Sequence, residues 1–283
     1  MILIADSGST KTDWCLCTEG RSVQRLSTQG INPFHQDMDT IQGILVNELL
    51  PQLGDADFSE LHFYGSGCRA AQIVPMQQML QGIFPDVDID TQGDLLAAAR
   101  AVCGRSIGIA CILGTGANSC LYDGCNVAKN VSPLGYILGD EGSGAVLGRN
   151  FVNALYKGFM PDDLKQKFTI ETGLTMNAII DRVYSKPMAN RFLASLSLFI
   201  HKHLDIPQLR SLVIDNFRQF ILRNVVRYER PDLPVGAIGS VAYYYRAELA
   251  EALHQQGMAL GTVLRSPIDG LVKYHSLTET NKK

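Results

Sequence analysis

The stretch that decides the fold is residues 2–16, which read I-L-I-A-D-S-G-S-T-K-T-D-W-C-L. Two apolar, strand-like runs flank seven small, polar or charged residues, which predicts a β-hairpin with a Gly/Ser/Thr-rich loop. A glycine in the loop lets a ligand approach the backbone, whose N–H groups can form a nest for phosphate oxygens. The residues expected to contact phosphate are Ser7, Gly8, Ser9, Thr10, Lys11 and Thr12. A tight hairpin with polar turn residues is the simpler alternative.

Asp6 stands within this stretch and carries a charge that would repel a bare phosphate. A divalent cation between the carboxylate and the phosphates removes the conflict, and Mg²⁺ bound through water is the expected ion. Asp6 is therefore predicted to be the metal ligand of the loop.

The same design returns at residues 112–123, which read I-L-G-T-G-A-N-S-C-L-Y-D. An apolar run leads to a hydroxyl residue between glycines, and a second strand-like run follows. Gly116 takes the place that Gly8 has in the first loop, and Gly114 and Thr115 are expected to contact phosphate with it. Two such hairpins, each opening about half of the remaining chain, predict two related domains that face each other across a nucleotide.

Four short motifs follow one another along the chain: D-S-G-S-T-K-T, L-G-T-G-A-N-S, G-D-E-G-S-G at 139–144 and I-G-S-V-A at 238–242. Their order resembles that of the acetate kinase, sugar kinase, Hsc70 and actin superfamily. Within it the sequence is most similar to the N-acetylglucosamine kinase and BadF/BadG/BcrA/BcrD-type ATPase family, from Ile2 to about Tyr245. The resemblance implies an α/β protein with two ribonuclease H-like (actin-like ATPase) domains. They are expected at 1–113 and 114–283, with helical additions in the second, and the C-terminal tail is allowed to pack back on the first.

The overall composition limits the class of protein. A chain of 283 residues with 46% hydrophobic and 19% charged residues is typical of a soluble globular protein with two domains. The net charge is −3 and no basic cluster occurs, which argues against nucleic acid and anionic membranes as partners. No apolar run approaches the roughly 18 residues of a membrane-spanning helix and no signal peptide is recognisable, so a cytoplasmic location is expected. A homodimer is left open.

Candidate residues for the chemistry follow the strands of the first domain. Asn32, in T-Q-G-I-N-P-F-H, is either a loop residue that bonds its own backbone or, as the resemblance implies, an amide that contacts a sugar hydroxyl. Ser66 and Gly67 follow a short strand at an edge where α/β sheets often bind ligands, although a plain strand-to-helix turn fits as well. Asp94 stands directly before a helical run and is expected to be its N-cap. It also matches the family's catalytic aspartate, and one carboxylate can do both.

In the second domain Asp140 lies among three glycines, at 139, 142 and 144. Glycines are poor helix formers, which favours a loop that approaches a ligand. The resemblance assigns Asp140 to sugar hydroxyls and places Gly135 and Asn118 on the substrate side, and capping of the following helix is the alternative for Asp140. The family often has Gly-Trp where this chain has Pro133 and Leu134, which leaves the identity of the sugar open.

The fourth motif enters a predicted helix, 242–256. The small residues of this motif allow an adenine ring to lie against the backbone at Gly239, Ser240 and Val241. Elsewhere, residues 37–50 predict a helix that Pro51 ends, and residues 209–228 predict an amphipathic helix within an almost continuously helical region.

The phosphate loops, the metal ligand and the candidate base predict phosphoryl transfer from ATP with Mg²⁺. The resemblance implies that the acceptor is a hydroxyl of an amino sugar, with N-acetylglucosamine as the expected substrate. An ATPase that activates a radical dehydratase or reductase is an alternative from another class, and it would need an iron–sulfur cluster. Cys103, Cys111, Cys120 and Cys125 fit that role poorly, because three of them lie within or beside predicted strands, where a thiol is usually core. A sugar-binding regulator is also left open.

Overall fold

The computed structural model describes residues 1–8, 10–18 and 21–279, with side chains through Ser276, so Ser9 lies outside the described residues. The strands are β1 (Ile2–Ser7), β2 (Lys11–Thr18), β3 (Arg21–Gln29), β4 (Glu60–Gly65), β5 (Asp88–Gly93), β6 (Gly108–Leu113), β7 (Ala117–Tyr122), β8 (Val127–Asn130), β9 (Val235–Ile238) and β10 (Leu260–Leu264). The helices are α1 (Met38–Ile44), α2 (Leu50–Leu53), α3 (Ala70–Ile83), α4 (Asp94–Cys103), α5 (Gly135–Leu138), α6 (Gly144–Tyr156), α7 (Asp162–Thr172), α8 (Met176–Tyr184), α9 (Ala189–Ser195), α10 (Ser197–Lys202), α11 (Pro207–Arg223), α12 (Ser240–Tyr244), α13 (Arg246–His254) and α14 (Ile268–Glu279). A π-helical turn joins α1 to α2, and a 3-10 turn follows α11.

The chain divides into two compact units. The first contains residues 1–106 and 124–126 and the C-terminal segment that begins at Ser266. The second contains residues 107–123 and 127–265. The sequence-based division between residues 113 and 114 stays a prediction.

The two units have the same sheet connectivity. In the first, the strand order is β3-β2-β1-β4-β5; β1, β2 and β3 are antiparallel neighbours, and β4 and β5 run parallel to β1. In the second, the order β8-β7-β6-β9-β10 repeats this arrangement strand for strand. The predicted α/β fold class with two ribonuclease H-like units is confirmed.

Helices cover the sheet of the first unit on both faces. Alternate residues of a strand point to opposite faces, and Leu3, Trp14 and Leu16 pack on one side with α1 and α3. Ile2, Ile4, Cys15 and Cys17 pack on the other side with α4 and α14. Each large apolar side chain buried in this way stabilises the unit by about 1.5 to 3 kcal/mol.

The second unit carries the helical additions predicted from the sequence. Helices α5 to α11 lie between β8 and β9, and their largest buried side chains include Phe151, Phe168 and Phe199, whose rings contact one another. The predicted amphipathic helix is present as α11 and buries Leu209, Val213 and Phe217. Among the described helices none is both long and apolar enough to cross a membrane.

Two expectations about the helices differ from the structure, and two further elements were not predicted. Pro51 does not end a helix: it lies in α2 directly after the π-helical turn Leu45–Leu49, and the helical backbone continues to Leu53. The helix predicted over 242–256 begins at Ser240 and is broken at Tyr245 into α12 and α13. The strand β10 and the helix α14 had no predicted counterpart.

Candidate functional site

Asp6 lies near the carboxyl end of β1, opposite Asp13 of β2. Burial raises the pKa of Asp6 to about 7, and the charges of Asp94 and Asp13 raise it as well, while Lys11 acts in the opposite direction. The Lys11 ammonium is 2.6 Å from a carboxylate oxygen of Asp13. The three carboxyl groups have Lys11 and Arg69 as neighbouring cations, which leaves an excess of negative charge that a further cation would stabilise.

This donor set suits a hydrated ion better than a fully protein-bound one. In the described part of the chain no group of three His, Cys, Asp or Glu side chains is arranged to hold a metal ion. Mg²⁺ usually keeps several of its waters and takes one or two carboxylates from the protein. Asp6 is the residue of this site that could hold such an ion.

The hydroxyls of Ser7 and Thr12 do not form part of an open phosphate nest. Both residues are fully buried, and the two oxygens are 2.6 Å apart. The backbone N–H of Ile31 donates to both hydroxyls, at 3.0 and 3.2 Å, and the Ser7 hydroxyl donates to the Ile31 carbonyl at 2.8 Å. The predicted phosphate contacts are therefore wrong for these two side chains, which instead hold the end of β3 against the hairpin.

The exposed part of the first loop is its tip. Thr10 and Lys11 are exposed, and the N–H of Gly8 donates to the Lys11 carbonyl at 3.0 Å, which closes the turn. Among the described residues of this tip, the side chains of Thr10 and Lys11 are exposed and able to contact an anion.

Asp94 is the first residue of α4, and Gly93 occupies the N-cap position, so the predicted N-cap role is wrong. Its carboxylate accepts from the Ser66 hydroxyl and from the backbone N–H of Leu95. Burial raises the pKa of Asp94, and these hydrogen bonds and the charge of Arg69 act against that rise. The geometry holds an ionisable carboxyl in a fixed orientation at a helix N-terminus, which is an arrangement suited to a general base.

Asn32 and Gly67 are in direct contact. Gly67 has φ of +86°, and a Cβ at this position would lie 2.0 Å from the Asn32 Oδ1. That oxygen accepts from the N–H of Phe34 at 3.0 Å, as the loop interpretation of Asn32 expects. The Nδ2 group makes no hydrogen bond to a described residue, so it remains able to donate to a ligand. The two interpretations of Asn32 are compatible.

Two residues beside this site had not been predicted. The Arg69 guanidinium lies 4.5 Å from the centroid of the Phe34 ring, and Phe34 is half exposed. Arg69 also lowers the pKa of Asp94 through its charge. The phenylalanine two residues after Asn32 was the signal available in the sequence, whereas the pairing with Arg69 depends on the tertiary fold.

In the second unit Asp140 is held over the second hairpin. Its backbone has φ of +54°, and its carboxylate accepts from the N–H groups of Ala117 and Gly135. Burial raises the pKa of Asp140 to about 6. A Cβ at Gly116 would lie 3.0 Å from the carboxylate, which explains the glycine at that position. Asp140 is not a helix cap, because Ser143 caps α6 by accepting from the N–H of Val146 at 3.1 Å.

The other glycines of the second hairpin support close backbone packing. The Gly114 and Thr115 carbonyls accept from the N–H groups of Gly144 and Ala145, at 2.8 and 3.2 Å. Gly239 has φ of +113°, and a Cβ there would lie 2.3 Å from the Leu113 carbonyl oxygen. The fourth motif therefore lies directly against the second hairpin.

Two of the predicted substrate residues have structural partners. The Asn118 Oδ1 accepts from the Asn130 amide at 2.9 Å and from the N–H of Ser119 at 2.9 Å. Gly135 is exposed, has φ of +76° and donates its N–H to Asp140. Asn118 thus orients the hairpin, and Gly135 orients Asp140.

A cavity of about 280 Å³ opens beside the fourth motif. Its walls include Ser240 and Val241, the first residues of α12, and the aromatic ring of Tyr244. Leu198 and His201 of α10 also line the cavity; the His201 and Tyr244 ring centroids are 5.6 Å apart, and the His201 Nε2 is 3.2 Å from the Tyr244 carbonyl. Apolar and aromatic walls of this kind suit a planar ring.

Comparison with known proteins identifies the chain. No family model and no curated protein matches it. A solved structure of a proposed N-acetylglucosamine kinase from Porphyromonas gingivalis is 54% identical, covers 99% of this chain and 100% of its own, and superposes with a TM-score of 0.95. The chain belongs to the N-acetylglucosamine kinase family. Solved structures of much lower sequence identity share the fold of this chain.

A proposed N-acetylglucosamine kinase from Chromobacterium violaceum is 17% identical, with a TM-score of 0.62 over 96% of this chain and 98% of that one. MamK, solved as a non-polymerising mutant bound to AMPPNP, is 12% identical, with a TM-score of 0.56 over 98% of both chains. At these identities the similarity shows the fold alone, which is the actin-like ATPase fold.

Proposed function

We propose that this protein is an ATP-dependent sugar kinase that transfers the γ-phosphoryl group of Mg-ATP to a hydroxyl of an amino sugar, with N-acetylglucosamine as the substrate. The observation that carries the proposal is the 54% identity, along the whole chain, to a proposed N-acetylglucosamine kinase. Phosphoryl transfer needs positioned donors, a metal ion and one base rather than covalent catalysis, and in this proposal described residues supply the donors, a ligand for the ion and the base.

The first unit supplies the base and the metal ligand in this proposal. Asp94 accepts the proton of the attacking hydroxyl, and the Ser66 hydroxyl that donates to it fixes the direction of the carboxylate. Asn32 donates its amide to the sugar, and Gly67 leaves the space that this amide needs. Asp6 would hold Mg²⁺, and the ion would supply positive charge that neutralises phosphate and keeps the Asp6 carboxyl ionised despite its raised pKa.

The second unit supplies the remaining contacts in this proposal. Asp140 accepts hydrogen bonds from sugar hydroxyls with the capacity that its two backbone donors leave unused. Gly114, Thr115 and Gly116 offer the turn of the second hairpin to phosphate. The adenine ring lies against Gly239–Val241, in the cavity whose wall includes Tyr244.

The ATPase-activator alternative remains less well supported. Its iron–sulfur cluster would need thiolates, and burial raises the pKa of Cys103 to about 11, which favours the neutral thiol. Cys111 and Cys120 are buried in β6 and β7, on the sheet of the second unit. We therefore expect a purified sample to contain no stoichiometric iron.

A substrate screen tests the proposal. ADP release is measured with Mg-ATP over N-acetylglucosamine, glucosamine, N-acetylmannosamine, N-acetylmuramic acid and glucose. We expect N-acetylglucosamine to give the highest kcat/KM and omission of Mg²⁺ to abolish turnover. ADP release at the same rate with and without every sugar would contradict a kinase and favour the ATPase alternative.

A further inference from the structure

A second cavity, polar and of about 390 Å³, lies in the second unit between α6 and α11, and we call it the α6–α11 cavity. It lies beside the loop that carries Asp140, but the Asp140 carboxylate bonds to Ala117 and Gly135 and is not part of its wall. Gly139 and Glu141, the neighbours of Asp140, do form part of the wall. The cavity is therefore separate from the proposed sugar site and shares one loop with it.

Two arginines give the cavity its charge. Arg149 of α6 donates one N–H to the Tyr136 carbonyl at 3.0 Å, and Arg223 of α11 lies 3.5 Å from the Glu141 carboxylate. The Arg223 Nε also donates to the Gln219 side chain at 3.3 Å. A guanidinium has five N–H donors in a planar fork, so both arginines retain donors for an anion. With one glutamate against two arginines, the cavity has a net positive charge.

Amide side chains supply the neutral hydrogen-bonding groups of the wall. Asn150, Asn216 and Gln219 line the cavity. Asn216 is 97% buried; its Nδ2 donates to the Ser143 carbonyl at 3.3 Å, but its Oδ1 has no hydrogen-bond partner among the described residues. A buried acceptor without a partner costs about 1 to 3 kcal/mol. This oxygen is closed to solvent, so Asn150 and Gln219, which are half-buried, are the amides of the wall that can contact a ligand.

The remaining wall is apolar and consists of Ile137, Leu138 and Val146. The side chains of Ile137 and Leu138 are 68% and 76% exposed. A phosphorylated sugar is recognised by three kinds of group that are all present here. Guanidinium groups bind the anion, amides bind the hydroxyls, and an apolar wall contacts the C–H groups. The volume lies within the range of about 300 to 1,000 Å³ that small-molecule sites occupy.

We propose that the α6–α11 cavity is a binding site for hexose phosphates, separate from the site of phosphoryl transfer. Arg149 and Arg223 bind the phosphate group, and the Asn150 and Gln219 amides bind the ring hydroxyls. Because the wall includes both neighbours of Asp140, an occupied cavity restrains the loop and changes the KM for sugar. This last consequence rests on the proposed function, whereas binding itself does not.

Calorimetry on the full chain, without nucleotide or free sugar, tests binding directly. The probes are glucose 6-phosphate, glucose and inorganic phosphate. We expect glucose 6-phosphate to bind at least tenfold more tightly than phosphate and glucose not to bind measurably. Absence of binding by glucose 6-phosphate, or equal affinity for it and for phosphate, would overturn the proposal.

Variants on α11 assign the binding to this cavity. Arg223→Gln should weaken the affinity for glucose 6-phosphate at least tenfold, whereas Arg218→Gln is the matched control, because Arg218 is on the same helix, pairs with Asp215 and does not line the cavity. Binding that is equal in both variants would overturn the proposal.

Asn216→Leu provides a second, independent readout. It removes the acceptor that has no partner, and the Ser143 carbonyl keeps the N–H of Leu147 at 3.0 Å. Because the Asn216 Oδ1 is closed to solvent, we expect the Tm to equal or exceed that of the wild type while the affinity for glucose 6-phosphate stays unchanged. A loss as large as that expected for Arg223→Gln would overturn the assignment of binding to the two guanidinium groups. Because binding is measured without turnover, a protein that lacks kinase activity but binds glucose 6-phosphate through Arg223 would refute the proposed function and leave this site intact.

Discussion

Substitution of Asp94 by asparagine separates the structural role of this residue from its proposed chemical role. The carboxylate accepts hydrogen bonds from the Ser66 hydroxyl and the N–H of Leu95 at the start of α4. Asparagine keeps one of the two side-chain oxygens and nearly the same volume, so one hydrogen-bond acceptor remains at this position. Asparagine also removes a charge that burial disfavours, as the raised pKa of Asp94 indicates.

These effects on stability nearly cancel. A hydrogen bond to a charged group contributes about 1.5 to 3 kcal/mol and a neutral one about 0.5 to 1.5 kcal/mol, and relief of charge burial offsets part of the difference. We expect a net change within about 1 kcal/mol, or about 2 to 4 °C in Tm for a unit of this size. The effect on catalysis should be much larger, because a positioned base contributes roughly 10² to 10⁴ in rate, or about 3 to 5 kcal/mol.

The assay measures kcat for ADP release with saturating sugar and Mg-ATP, together with calorimetric affinities for each ligand. Asp94→Asn should fold, bind both ligands and turn over at least a hundredfold more slowly. In the same variant the pKa of Asp6 should fall, because the charge of Asp94 contributes to its rise. Near-normal turnover in a folded variant would refute the assignment of the base, and Asp140 would become the candidate.

Three further substitutions test other parts of the site. Asp6→Asn should weaken use of Mg-ATP without loss of sugar affinity. Folding raises the pKa of the Asp6 carboxyl from 3.8 to about 7, so its contribution to stability is lost as pH rises through that range. The Tm of the variant minus the Tm of the wild type should therefore increase between pH 4 and pH 8. Gly67→Ala should displace the Asn32 amide and raise the KM for sugar. Gly104→Ala is the control: Gly104 also has a positive φ, but a Cβ there meets no atom within 4 Å. It should cost only about 1 to 3 kcal/mol of strain and leave the KM unchanged. Ser7→Ala should lower the free energy of unfolding by about 1 to 3 kcal/mol through its lost backbone contacts, and an unchanged Tm with reduced ATP affinity would restore the phosphate role.

The two hairpins could be predicted from the sequence because their signals are local. Apolar runs around a glycine-rich loop specify a tight antiparallel pair, and the repetition of this pattern at residues 112–123 predicted that the second unit repeats the first. The order of the four motifs then identified the family.

The sequence also allows the prediction that the Ser7 and Thr12 side chains point to the buried face of the sheet. Side chains alternate between the faces of a strand, and Ser7 shares a face with Leu3 and Ala5, while Thr12 shares one with Trp14. That face is buried against helices, so a hydroxyl there must bond within the protein. The same alternation places Asp6 and Asp13 together on the other face.

Other features depend on contacts that the sequence does not encode locally. The Arg69–Phe34 contact joins two loops, and the contact of Gly67 with Asn32 likewise joins residues far apart in the chain. The helix α14 packs against α4 although more than 160 residues separate them, as its Ile268 and Leu271 lie in one cluster with Ala97. These contacts depend on long-range packing, so local sequence patterns could not predict them.

The most direct test of the proposed kinase activity is phosphorus NMR of the protein with Mg-ATP and N-acetylglucosamine. The account predicts that the γ-phosphate resonance is replaced by a phosphomonoester signal coupled to sugar protons, in a one-to-one ratio with ADP. Inorganic phosphate as the sole new signal, with no phosphorylated sugar, would contradict it.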